Sequence, residues 1–190
     1  MADTNSQART VTAAARTVTA AAHTGTDVTS LILLAVLLAA GFILNLTVGN
    51  SLAMVGIKPQ FIIASYALAI LLTKADFKQA AIFGLISAAV IQFTTSIPGL
   101  NFVTELVAAL AMAALIKLDL KVAGRNVTPL AAAFVTTLLS GALFAVAGTL
   151  IMGAALATVA VKVPLVLGTA VFNAIVVQAL YFPLNKVLNR

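Results

Sequence analysis

Long apolar stretches, parted only by short polar gaps, leave this chain too little polar surface to coat a water-soluble globule. Hydrophobic residues fill 62% and charged residues 8% of its 190 positions, and mean hydropathy is +1.14. That is the composition of an integral membrane protein. The stretches are continuously apolar and rich in Ala and Leu, whereas a transmembrane β-strand alternates apolar and polar with period two. The pattern therefore predicts an all-α membrane protein. At roughly 20 residues per span, six helices use up most of the length, which excludes a separate soluble catalytic domain.

The basic residues orient such a bundle. Nine of the eleven Lys and Arg lie in alternate gaps: Arg9 and Arg16, Lys74 and Lys78, Lys117, Lys121 and Arg125, and Lys186 and Arg190. The intervening gaps hold only Lys58 and Lys162. Basic loops stay on the cytoplasmic side, so the asymmetry predicts six transmembrane helices with both termini cytoplasmic, in the plasma membrane. The formal charge of +6 is explained by headgroups and topology, with no nucleic-acid partner. The chain has no Cys, which excludes disulfides and thiolate metal sites, and its single His23 stands in the tail.

Positions 1–29 read as a disordered Thr/Ala-rich tail in which ARTVTAA repeats at Ala8–Ala14 and Ala15–Ala21; Thr and Ala occupy the places where a coiled coil needs large apolar residues. Positions 30–190 form the membrane domain. The first span is expected over Leu31–Val48, ending at a break through Gly49, Asn50 and Ser51. The second covers Gln60–Thr73. Its length of about 21 Å falls short of a hydrocarbon core of about 30 Å, so its outer end needs protein cover. Spans three to five are expected over Phe77–Phe93, Phe102–Ile116 and Pro129–Leu150. Gly148 and Gly153 read as break points before a short outer or re-entrant piece, and the sixth span as Leu165–Phe182.

Polar residues are costly in lipid, and their positions mark interior or water-facing surface. In the predicted orientation they gather at the outer helix ends: Asn45 and Asn50, Lys58 and Gln60, Gln92, Thr94 and Thr95, Asn101 and Glu105, and Asn173. These are the candidate substrate-binding residues, around a pocket open to the outside. Glu105 is the one outer acid. A carboxylate among amides and hydroxyls suits a ligand ammonium, with Lys58 or Lys162 for a ligand carboxylate, as a zwitterionic amino acid requires. Alternatively Glu105 complements the positive end of the fourth helix, and Asn45, Gln92 and Asn173 bond between helices. Thr136, Thr137 and Ser140 are left out of the site, since hydroxyls within spans usually bond their own helix backbone.

The sequence has no G-x-x-x-x-G-K-[ST] phosphate loop, no Gly-rich dinucleotide turn and no charged chain through the spans. No catalytic residue, metal site or cofactor is expected, and any uphill transport draws its energy from elsewhere.

Two segments, GIKPQFIIASYALAILL from Gly56 and GLISAAVIQFTTSIPGLN from Gly84, resemble the tryptophan transporter TrpP family. Its most specific pieces here are Lys58-Pro59 and the turn Thr94 to Gly99. That family is in turn similar to the S components of energy-coupling-factor (ECF) transporters. The resemblance implies an S-component-like six-helix protein that binds a small solute from outside. It also implies partners, a membrane coupling subunit and two ATPases, which would meet a small-residue stripe at Ala35 and Ala39. The expected function is uptake of tryptophan or a similar small aromatic metabolite with energy from separate subunits. The alternative is a stand-alone secondary transporter or facilitator for an amino acid-like or vitamin-like solute.

Overall fold

A computed structural model describes residues 27–53, 59–122 and 124–188, and the secondary structure is almost wholly helical. Helix α1 runs Val28–Leu44, continues through a π-helical turn at Asn45–Gly49 and closes with an α-turn at Asn50–Ala53. It is followed by α2 (Phe61–Thr73), α3 (Phe77–Ile91), α4 (Leu100–Leu115), α5 (Thr128–Ile151) and α6 (Ala157–Leu188). A two-stranded hairpin, β1 (Lys121–Val122) with β2 (Arg125–Asn126), joins α4 to α5.

Local chemistry sets these limits. The Asp27 carboxylate accepts from Thr29 N–H at the start of α1, and Asp76 accepts from Gln79 N–H at 2.8 Å at the start of α3, each satisfying an otherwise orphan donor. Lys74 adopts the left-handed conformation, φ 49°, that ends α2. Gly99 at φ 85° turns the chain into α4, a conformation that costs glycine little.

Three helical stretches are long and apolar enough to cross a membrane by length and composition: Val28–Leu52, Thr128–Ile151 and Ala157–Leu188. The other three, α2 to α4, are apolar and shorter. Helix α2 is apolar on all sides and every residue from Phe61 to Leu71 is buried, the condition of a helix enclosed by others. It contacts each of the other helices. Ser65 ties it to α1 by donating to Leu37 O at 2.8 Å. The two backbones approach at Gly41, where an added Cβ would lie 2.9 Å from Phe61 O. Around this centre, exposed Ile32, Val36, Leu85, Val107, Val135 and Ile175 form an apolar outer surface. A surface of that kind suits lipid.

Three expectations need correction. The first helix does not break at Gly49, Asn50 and Ser51, because the wider π-turn absorbs the glycine and the helix goes on to Ala53. Gly148 is no break point either: it is buried inside α5, where an added Cβ would meet Ile97 at 2.7 Å. The chain turns instead at Gly153, φ 64°. No re-entrant piece follows, since α6 already begins at Ala157 and carries Pro164 within it.

Candidate functional site

At one end of the bundle the C-terminal part of α1, the start of α2, the α3–α4 turn, the middle of α5 and the first turns of α6 enclose a cavity of about 570 Å³. That size lies in the range of small-molecule sites. Its apolar wall includes Ile63, Ile91, Ile97, Phe144, Leu165 and Val166. Its polar wall includes Asn45, Asn50, Gln60, Thr94, Thr95, Asn101, Glu105, Thr137, Ser140 and Lys162.

Glu105 organises the polar wall. Its side chain is 1% exposed, and its carboxylate accepts hydrogen bonds from three hydroxyls: Tyr66 of α2 at 2.9 Å, Ser140 of α5 at 2.7 Å and its neighbour Thr104 at 3.3 Å. A buried acid needs such partners to offset lost hydration. Two carboxylate oxygens offer about four acceptor positions, so one remains for a further donor. The helix-end alternative for Glu105 does not fit, because α4 starts at Leu100 and its first turn has no acid, while the helix field decays within that turn.

The opposite charge comes from α6. Half-buried Lys162 donates to Thr149 Oγ1 at 2.9 Å, and Thr149 donates onward to Ala145 O at 2.6 Å. This hydroxyl steadies an ammonium that keeps two further donors for a ligand. Among the described residues the one ion pair is Lys121–Asp119, outside the cavity, so Glu105 and Lys162 face the same space without neutralising each other.

Of the residues singled out from sequence, Asn45, Asn50, Gln60, Thr94, Thr95, Asn101 and Glu105 share the wall. Thr95 donates to Asn101 Oδ1 at 2.6 Å, while Asn50 is exposed and donates to Leu46 O at 2.9 Å. Gln92 and Asn173 stand behind the wall. Gln92 accepts from Gly99 N–H at 2.9 Å and donates to Ala88 O at 3.0 Å, clamping the turn after α3. Asn173 donates to Gln60 O at 3.1 Å and Thr137 Oγ1 at 3.3 Å, joining α6 to α2 and α5. Lys58 lies outside the described residues. Ala35 and Ala39 are exposed on α1, away from the cavity.

Sequence reasoning missed Thr137 and Ser140. Both were assigned to their own helix backbone, yet Ser140 bonds Glu105 and Thr137 accepts from Asn173. The available signal was a row of hydroxyls at Thr136, Thr137 and Ser140 on one side of an otherwise apolar helix.

Comparison with known proteins agrees with the membrane architecture. The family described as "Tryptophan transporter TrpP" matches residues 27–189, most of the chain. No curated protein and no solved structure matches it significantly.

Proposed function

The chain belongs to the tryptophan transporter TrpP family, and from that premise we propose that the cavity is its substrate site, with tryptophan held by both ends of its zwitterion. The observation that carries this reading is the pairing of one buried acid, Glu105, and one base, Lys162, on the wall of a cavity otherwise lined by amides, hydroxyls and apolar side chains. Glu105 takes the α-ammonium and Lys162 the α-carboxylate, as charge-assisted hydrogen bonds. The indole lies against Ile97, Phe144, Leu165 and Val166. Removing roughly 200 Å² of aromatic side chain from water favours binding by about 5 kcal/mol before ordering costs.

In this reading all six helices span the plasma membrane, with short α2 screened by its neighbours and both termini inside. The cavity mouth then faces outward, and the chain acts as a solute-binding subunit energised by separate proteins. Ala35 and Ala39, exposed on α1, present small side chains to a coupling subunit. The basic-loop asymmetry and the want of a charged path through the spans support this arrangement.

Two experiments test it. The full chain in liposomes, without ATPases, should bind labelled tryptophan saturably and not accumulate it; accumulation driven by an ion gradient would establish the stand-alone transporter instead. Since the chain has no Cys, single-cysteine variants Gly99→Cys and Lys121→Cys report its orientation in intact cells. An impermeant maleimide should label the first and spare the second, and the reverse pattern would overturn the outward mouth.

A further inference from the structure

Three buried side-chain atoms among the described residues have no hydrogen-bond partner: Ser87 Oγ, Asn173 Oδ1 and Asn45 Oδ1. Only Asn45 belongs to the cavity wall. Its side chain is 8% exposed and stands at the start of the π-helical turn of α1, a distortion frequent at functional sites. The other amides near it are engaged differently. Asn101 Oδ1 already accepts from Thr95, and Asn50 is exposed and donates to its own helix. The nearby hydroxyls are occupied too, with Thr94 donating to Ile91 O and Ser140 to Glu105. Asn45 is thus a buried acceptor that the protein leaves without a donor, and its terminal amide turns easily about the last side-chain bond.

We infer that Asn45 is the acceptor for the indole N–H and so the residue that makes this site prefer tryptophan to ring systems without that donor. The inference rests on the substrate site proposed above and adds the third polar contact to it. Indole N–H is a donor only; inside an apolar wall it binds well only if an acceptor meets it. With Glu105 assigned to the ammonium and Lys162 to the carboxylate, Asn45 is the free acceptor on the wall. A ligand lacking the N–H leaves it unpaired, which is how a site built to hydrogen-bond a substrate group rejects its analogue.

The test compares tryptophan with 3-benzothienylalanine, in which sulfur replaces the ring N–H at similar size, by equilibrium binding to the full chain in nanodiscs. Wild type should prefer tryptophan by roughly tenfold, the scale of one buried hydrogen bond. Asn45→Leu should close that gap by weakening tryptophan towards the analogue's affinity. Asn45→Asp, which keeps size and an acceptor, should retain the preference, and it serves with the wild-type comparison if Asn45→Leu fails to fold. Equal affinities on wild type, or a gap that survives in Asn45→Leu, would overturn the role of Asn45 and leave the zwitterion site standing. If wild type binds neither ligand, or Glu105→Gln changes neither affinity, the underlying site fails and the inference with it.

Discussion

The two ends of the bundle use charge in opposite ways. At the cavity end a single acid, Glu105, is enclosed and fixed by Tyr66, Ser140 and Thr104, and a single base, Lys162, is steadied by Thr149. At the other end Lys74, Asp76, Lys78, Lys117, Asp119, Lys121, Arg125 and Lys186 are all exposed. Their one ion pair, Lys121–Asp119 at 2.7 Å, has side chains 59% and 66% exposed, where such pairs contribute little. The solvated end is redundant and serves orientation. The enclosed end has one group for each task, so the loss of any one should be felt.

That contrast can be broken or sharpened by substitution. The largest effect is expected beneath the cavity wall at Gly84→Leu, because an added Cβ would lie 2.8 Å from Ala109 Cβ and 2.9 Å from Glu105 O. Pushing α3 off α4 should destabilise the bundle by about 3 kcal/mol. Thermal unfolding of the detergent-solubilised chain would show a clear drop, and an unchanged midpoint would mean the helices are not packed this closely. Next, Lys162→Met should weaken tryptophan binding by roughly ten- to a hundredfold, the loss of a charged hydrogen-bond donor. Undiminished affinity in a titration would take Lys162 out of the site. Tyr66→Phe removes one of three hydroxyls from Glu105 and should cost roughly fivefold in affinity; no change would mean the carboxylate is held well enough by the rest. The smallest effect belongs to the opposite end. Lys121→Ala should alter stability by no more than about 0.5 kcal/mol and leave tryptophan affinity intact, and a large loss of binding would erase the distinction between the ends.

How far the sequence carried depended on what each residue's default partner was. Asn45, Asn101 and Glu105 stood out because amides and acids are rare in apolar helices, and the cavity wall includes all three. Helix α2 was readable as short and covered, since 13 apolar residues cannot span a bilayer unaided. Ser140 was hidden because a hydroxyl in a helix can satisfy itself on its own backbone, and only the packing of α5 against α4 turns it to Glu105. The π-turn at Asn45–Gly49 was hidden too: Gly-Asn-Ser carries the chemistry of a turn, and the contacts that keep the helix going come from elsewhere in the bundle. Pro164 read as a boundary for a related reason. It removes one backbone donor, but α6 packs along α5 and continues through it.

The central claim is that a single enclosed carboxylate holds the substrate's ammonium group. A tryptophan titration of the full chain, run side by side on wild type, Glu105→Gln and Asp119→Asn, tests it most directly. Glu105→Gln should lose roughly ten- to a hundredfold in affinity, while Asp119→Asn binds as wild type does. Equal affinities for all three proteins would contradict the account.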